Sequence, residues 1–578
     1  MRAFLDQHPL WFYIRQQWKH FSLGMLFLLI TNLADGLYPL ILKKGIDQIA
    51  DGQPLSSVAP TAWLFFATMS LLAFTRYCWR VFFGTYHTRA AEDLRNRIFR
   101  HLTTMGPQFF KQNPIGELMS LITNDVQSFR QGIGSAVLIL VDGFSIILIV
   151  LPLMIWMEPH WTWKTLIFLP LVPFLIWKVT KLIFSRYKVQ QDCLSELSGF
   201  SQETVAGIRV IKSFAQEDPQ LKRYNRLSHV FERACNHVAS IDSMFMPVMT
   251  FGVASGTVIL LFVAGADVVS GVASIGTLVA FQRYITKMVW PMTALGMGFS
   301  QYQKGMASYA RIRQILLQST DIPDEGKIEI KDFESLEVRH LSFQFPEASS
   351  ESLQDISFSI QAGQKVGLVG PVGSGKTTLL HLLNRLYPVS KGAILVNGYE
   401  IEKITQRSLH LQIAFVPQEP FLFSESISEN MAMGREGAVP DDEVLHWAQV
   451  VDIKAEVEGL PHQFQSELGE RGVNLSGGQK QRLTIARGLM TRAPFLMLDD
   501  SLSAVDHKTE KTIQDQLRHQ LEKKKTQLIV THRLSAVENA DQIIVLNQGK
   551  IEAVGTHREL IEKSPIYRRM AEIQGYVS

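Results

Sequence analysis

Cysteine is nearly absent. The chain of 578 residues has three, Cys78, Cys193 and Cys235, too scattered for a disulfide framework or a metal-ligand set, so they are expected to be inert thiols of a reduced or membrane setting. Excess charge of one sign is lacking too. The 57 Lys and Arg against 54 Asp and Glu leave a formal charge of +3, and no basic run dominates, which argues against a nucleic-acid partner. The N-terminus lacks the small-residue cleavage site of a signal peptide. His8, Pro9, Leu10, Trp11 and Phe12 precede Arg15 and Lys19, and only then comes a long apolar run. That pattern is expected to lie along the inner membrane face as an amphipathic elbow.

What the chain does have is unevenly spread. Its hydrophobic fraction is 46%, with the long apolar runs and most tryptophans before about residue 297, and its length exceeds what one core normally supports. A bilayer core of roughly 30 Å needs about 20 mostly apolar residues per helix. Six stretches come near that: residues 21–42, 60–77, 135–157, 161–177, 243–265 and 275–292. The connection over 85–111 carries Arg89, Arg95, Arg97 and Arg100, and that over 178–226 is also basic, whereas those around Asp51, Pro159 and Ser270 have little positive charge. The positive-inside bias therefore places both termini and the two long loops in the cytoplasm. Helical periodicity persists over 88–102 and 194–214, so these loops read as helical stalks. A membrane domain is expected over residues 1–320, a linker over 321–335 opening with Asp321-Ile322-Pro323-Asp324-Glu325-Gly326, and a soluble α/β domain over 336–578.

Chemistry is concentrated in the second half. The apolar Val366-Gly367-Leu368-Val369 reads as a buried strand, and residues 379–387 read as a helix; between them lie Gly370, Pro371, Val372, Gly373, Ser374, Gly375, Lys376, Thr377 and Thr378. This is a phosphate loop in its required strand-loop-helix context. Glycines let backbone N–H groups close around phosphates at a helix N-terminus, Lys376 supplies a point charge for the outer phosphates, and Thr377 offers a hydroxyl to Mg²⁺. Phe495-Leu496-Met497-Leu498-Asp499 is an apolar strand ending in the carboxylate that such a site uses to organise Mg²⁺. Between the two elements stands Leu475-Ser476-Gly477-Gly478-Gln479-Lys480-Gln481-Arg482. A serine and two glycines opening a helix make an anion-binding N-terminus.

With that segment the chain resembles the ATP-binding cassette (ABC) transporters over essentially its whole length. The resemblance implies an all-α six-helix transmembrane domain followed by an α/β P-loop nucleotide-binding domain with the family's helical subdomain. It also implies that ATP and Mg²⁺ are bound at sites shared across a head-to-tail dimer, where Ser476, Gly477, Gly478 and Gln479 contact the γ-phosphate of ATP held by the opposite subunit. Gln418, in Val416-Pro417-Gln418, matches the family's glutamine loop, which senses Mg²⁺; His532 matches the switch histidine at the γ-phosphate; Ser503-Ala504-Val505-Asp506 matches the loop joining the two sites. Phe345 stands where the family usually stacks a tyrosine on adenine. Gln108-Phe109-Phe110 with Gly116-Glu117-Leu118, and residues 203–214, resemble the two coupling helices of exporters, which carry membrane and nucleotide domains on one chain.

One position departs from the pattern. After Asp499 the exporters normally have a glutamate that orients the attacking water, and this chain has Asp500, retracted by about a bond length. In this the chain resembles the degenerate-site subunit of heterodimeric multidrug-type exporters, the group that includes the bacterial Mdl pair. The expected partner is a second half-transporter with a complete glutamate; a homodimer with a slow aspartate base is the alternative. The expected activity is ATP-driven export of hydrophobic or amphipathic small molecules across the cytoplasmic membrane, with a lipid flippase or a nucleotide-sensing regulatory subunit as rivals. Charges in the expected spans, Asp35, Arg76, Arg80, Asp142, Arg283 and Lys287, are costly in lipid. Arg283 and Lys287 share a helix face and suit an amphipathic or anionic substrate, or they snorkel or pair with Asp35 or Asp142.

Overall fold

The computed structural model of the protein describes residues 8–576 except 167–170, 436, 470–471, 503–506 and 522–524. The loop expected over 503–506 and part of the expected span over 161–177 lie outside the described residues. The chain forms two compact units, the first comprising Met1–Thr103 and Ile115–Gln318, the second Thr104–Pro114 and Ser319–Ser578.

The first unit is helical. Among the described residues, four helical runs are long and apolar enough to cross a membrane: Trp18–Ala50, Leu55–Leu102, Ile115–Met157 and Glu217–Val269. The expected stretch over 275–292 begins the 42-residue helix Ile275–Leu316, whose Arg283 and Lys287 set it apart from a purely apolar span. Helix Leu55–Leu102 continues well beyond bilayer length because Phe83, Tyr86, Ala90, Leu94 and Ile98, spaced three or four apart, form one buried stripe with Phe129, Ile133 and Ile312. Each large side chain so buried contributes about 1.5–3 kcal/mol.

The N-terminal helix Pro9–Gln16 joins this cluster. Tyr13 is fully buried and its hydroxyl donates to Asp93 at 3.3 Å, while Arg97 lies 5.4 Å from the Phe12 ring. The expected elbow is thus anchored by its aromatic face to the stalk of the second long helix.

Glycine permits a close helix crossing. A Cβ on Gly305 would lie 2.6 Å from Gly132 Cα, and one on Gly132 would lie 2.8 Å from Gly305 Cα, so the two backbones touch only because neither residue has a side chain. Polar groups within the expected spans find partners. Asn32 Nδ2 donates to Asp142 at 3.0 Å and to Ser145 at 2.6 Å, and Tyr284 Oη donates to the Gly36 carbonyl at 2.8 Å. Lys287 forms an ion pair with Asp35, whose other oxygen lies 3.6 Å from Arg76. Of the two roles open to Lys287, the structure therefore shows pairing; Arg283 is exposed.

The second unit holds two sheets. Strands β1 (Ser335–Phe343), β2 (Leu353–Gln361), β4 (Ile394–Val396) and β5 (Tyr399–Glu400) form an antiparallel sheet in the order β2-β1-β4-β5. Strands β3 (Lys365–Val369), β6 (Ile413–Val416), β7 (Phe495–Asp499), β8 (Thr526–Val530), β9 (Gln542–Asn547) and β10 (Lys550–Gly555) form the other in the order β10-β9-β3-β8-β7-β6. In it only the β9–β10 pairing is antiparallel. All five residues of β7 are buried, as a central parallel strand covered on both faces requires. Between β6 and β7, helices Ile427–Ala432, Asp441–Val450 and Gly477–Met490 share a core of Met431, Val444, Ala448, Leu483, Ala486 and Leu489.

One difference from expectation lies in the second unit. The helix after the phosphate loop spans Lys376–Leu383, four residues short of the expected Tyr387. Arg385 turns to φ +50° and sends its guanidinium to the carbonyls of Ile404, at 2.6 Å, and Pro323, at 2.7 Å. Satisfying those buried acceptors ends the helix.

Candidate functional site

The parallel strands point their C-terminal ends to one edge of the sheet, and the chemically distinctive residues follow those ends. Gly370 comes directly after β3, Asp499 and Asp500 end and follow β7, Thr531 and His532 follow β8, and Gln418 lies two residues beyond β6. Register holds them level: Val369 pairs with Val545, Leu368 with Val530, Asp499 with Val530, and Leu498 with Val416. In open α/β sheets this edge is where ligands bind.

The loop Gly370–Gly375 is held by close backbone approach. Gly370, Gly373 and Gly375 have φ of 153°, 79° and 99°, values that favour glycine. A Cβ on Gly370 would lie 2.0 Å from the Leu546 carbonyl, and one on Gly375 would lie 2.8 Å from that of Ser352. Lys376 opens the following helix and folds its ammonium into the loop, donating to the carbonyls of Gly370 at 2.9 Å and Pro371 at 2.8 Å and to Ser374 Oγ at 3.4 Å. Pro371, Val372 and Gly373 are exposed at the loop's outer edge, and Thr378 is half-buried in the helix.

Asp499 is 2% exposed. Burial pushes its carboxyl above the usual carboxylate range, opposed by a hydrogen bond from Thr377. Among the described residues its Oδ2 has no hydrogen-bond partner. A buried carboxylate oxygen left over beside a threonine hydroxyl fits a divalent cation, which Thr377 and Asp499 would hold. Gln418, the third expected ligand, is exposed at the same edge.

Lys376, Asp500 and His532 lie within electrostatic reach of one another. Burial lowers the Lys376 ammonium, opposed by Asp499 and Asp500. Burial, then the charge of Lys376, lower the His532 imidazole, opposed by Asp500, so the ring is neutral near pH 7. Asp500 adopts φ +40°, its N–H donates to the Val530 carbonyl at 2.9 Å, and its carbonyl accepts from Gln481 Nε2 at 3.3 Å.

Ser476 caps helix Gly477–Met490: its Oγ accepts from the Gln479 N–H at 3.3 Å while Gln479 Oε1 accepts from the Ser476 N–H at 2.8 Å. Ser476 and Gly477 are exposed, and a Cβ on Gly477 would meet nothing within 4 Å. Internal packing therefore gives no reason for glycine there. Among the described residues, no hydrogen bond or ion pair joins Ser476–Gln479 to the phosphate loop of the same chain. Phe345 stands edge-on to Phe343 and Tyr387, with ring centroids 5.0 and 5.3 Å away.

Two supports had not been singled out from the sequence. Glu456 Oε2 accepts from Gln479 Nε2 at 2.7 Å and its Oε1 accepts from Arg482 at 2.6 Å, steadying the start of the serine-capped helix. Glu510, 2% exposed, pairs with Arg533, the neighbour of His532. Glu456 lies too far along the chain to be linked by spacing; an acidic residue on the buried face of an amphipathic helix was the available signal for Glu510.

Residues 21–292 match the family model described as the ABC transporter transmembrane region, and residues 353–503 match that described as ABC transporter. The probable multidrug resistance ABC transporter ATP-binding/permease protein YheI of Bacillus subtilis is 35% identical over 98% of this chain and 96% of its own. The multidrug resistance-like ATP-binding protein MdlA of Escherichia coli is 34% identical over 97% and 95%. A bacterial Atm1-family ABC exporter solved with ATP bound has the same fold, with a TM-score of 0.75 at 24% identity over 98% of this chain and 99% of that one. Motifs, sheet edge and relatives agree: the chain belongs to the ABC transporters, a membrane protein of the exporter fold whose ATPase is coupled to transport.

Proposed function

We propose that this chain exports small hydrophobic or amphipathic molecules across the cytoplasmic membrane by alternating access, as one half of a dimer with two shared ATP sites. Each site would combine the phosphate loop of one subunit with the Ser476–Gln479 turn of the other. The observation that carries this reading is the outward presentation of that turn. Its serine and glycine are exposed and, among the described residues, make no bond to the chain's own loop, and an open helix N-terminus attracts phosphate. The multidrug names of the relatives support the substrate class.

Within one site, Lys376 exchanges its loop carbonyls for the outer phosphates of ATP. The Asp500 carboxylate accepts a hydrogen bond from the water that attacks the γ-phosphate, and neutral His532 donates to a γ-phosphate oxygen. Thr377, Gln418 and Asp499 would hold Mg²⁺, which would supply positive charge to the phosphates. Because Asp500 is short, this chain's own site would bind ATP and turn over slowly, with most hydrolysis at the site where a different partner supplies the phosphate loop and a glutamate. The nucleotide-binding domain and both termini face the cytoplasm.

The test is a substitution outside the phosphate loop. Ser476→Ala combined with Gly477→Asp is expected to abolish most ATPase turnover of the purified complex, since a carboxylate there repels the γ-phosphate, while leaving ATP binding at the chain's own loop intact. Full turnover in that variant would overturn the shared-site arrangement.

A further inference from the structure

The aromatic expected to stack on the base is in contact with a segment that interrupts the membrane half of the chain. Residues 104–114 belong to the second unit and contain the short helix Pro107–Gln112. Before the helix, a Cβ on Gly106 would lie 2.6 Å from Asp321 Oδ1 and 3.1 Å from Ile322. At its other end Lys111 Nζ lies 5.4 Å from the centroid of the Phe345 ring and 3.7 Å from Glu347 Oε2. Phe345 contacts Tyr387, and Tyr387 lines a cleft with Asp321 and Ile322. The short helix is therefore docked at both ends on one cluster centred on Phe345.

We propose that Lys111 reads the base of the bound nucleotide: its ammonium and a purine contend for one face of Phe345, so that seating the base detaches Lys111 from the ring. This rests on Phe345 being the stacking residue. A stacked base places its ring centroid about 4.5–7 Å from that of Phe345, the distance range that Lys111 Nζ occupies. The two cannot share that side. Glu347 then retains Lys111 near the loop, and the Lys111 end of the short helix, which is continuous in the chain with the membrane helices, has one tether where it had two. Lys111 and Glu347 side chains are 61% and 58% exposed, so both contacts are weak and exchange readily. A weak contact suits a reading device, because a strong one would exclude the nucleotide.

The experiment uses the full-length protein in lipid nanodiscs and measures displacement of labelled ATP by ATP, by ADP and by inorganic tripolyphosphate. Lys111→Gln is expected to tighten ATP and ADP by about two- to fivefold, the worth of an exposed cation–π contact, and to leave tripolyphosphate, which has no base, unchanged. Lys111→Arg restores the wild-type values, and in a Phe345→Ala background Lys111→Gln adds nothing. An equal shift for tripolyphosphate would show a charge effect on the phosphate loop and overturn the proposal, as would unchanged ATP affinity in Lys111→Gln while Phe345→Ala weakens ATP. If Phe345→Ala itself leaves ATP affinity unchanged, the stacking reading fails and Lys111 has no base to read.

Discussion

Asp500 offers the sharpest perturbation. Its backbone is held on both sides, by the N–H bond to Val530 at 2.9 Å and the bond from Gln481 at 3.3 Å, so the backbone does not advance to compensate for a short side chain. Glutamate would reach further by one carbon–carbon bond, about 1.5 Å. A misplacement of about 1 Å costs about a hundredfold in rate, or about 2.7 kcal/mol in the barrier. Asp500→Asn in a complex with a glutamate-bearing partner is therefore expected to lower total ATPase by only about 1% of turnover at this ratio, whereas the glutamate-to-glutamine change in the partner nearly stops it. Asp500→Glu, tested with that partner change in place so that only this site works, is expected to raise its rate. The gain is at most about a hundredfold, provided that the partner's signature still closes on the site; the left-handed φ of +40° costs the glutamate variant about 1 kcal/mol of stability relative to aspartate and leaves the barrier unchanged. The assay is steady-state ATPase of the purified complex, with the chain alone and with its partner. Near-complete loss in Asp500→Asn, together with activity from the chain alone, would refute the asymmetric reading and leave a homodimer.

Lys376→Ala removes the buried ammonium and is expected to weaken labelled-ATP binding at the chain's own site at least tenfold; unchanged binding would mean that the phosphate loop has been misread. Gly305→Leu forces side-chain atoms into the Gly132 backbone, where even a Cβ has 2.6 Å, and is expected to cost about 1–3 kcal/mol, read as a fall in the thermal midpoint; an unaltered midpoint would show that the two backbones separate freely. Burial pushes the Lys525 amine down to about 8, so between pH 8 and its unfolded value the unfolded chain holds more protons and stability rises with pH. Lys525→Met is expected to stabilise the nucleotide-binding unit by about 1–2 kcal/mol near pH 7, discounted for partial exposure. The gain should shrink as pH approaches 10, and a thermal-midpoint gain independent of pH would remove the charge as its cause.

The elements most legible in the sequence were those whose physics is local. Gly370 to Thr378 lie in one segment whose glycines mark a tight loop between strand and helix, and Phe495 to Asp499 is an apolar run ended by a carboxylate, so both elements were readable before any fold was known. Ser476 as a helix cap with Gln479 three residues on is likewise a short-range device. The apolar stretches later found in Trp18–Ala50 and Leu55–Leu102 needed only length and composition. The charge of Asp35 was readable too, but not its partner, because choosing among Lys287, Arg76 and Arg283 depends on which helices lie side by side.

Local pattern failed where distant groups intervened. Helical periodicity ran on to Tyr387, yet carbonyls of Pro323 and Ile404 draw Arg385 out of the helix. No sequence spacing connects Lys111 with Phe345 or Glu456 with Gln479; these contacts exist because residues 104–114 pack within the second unit and because helices meet there. The sequence by itself determined where the residue types suited to phosphate, metal and membrane chemistry stand, since that follows from composition and short-range pattern. Only the tertiary structure decided that β3, β6, β7 and β8 end at one edge, with Gln418 following β6 and with Asp499, Asp500 and His532 within electrostatic reach of Lys376. That grouping depends on strand order and register, which arise from burying both faces of a parallel sheet at once.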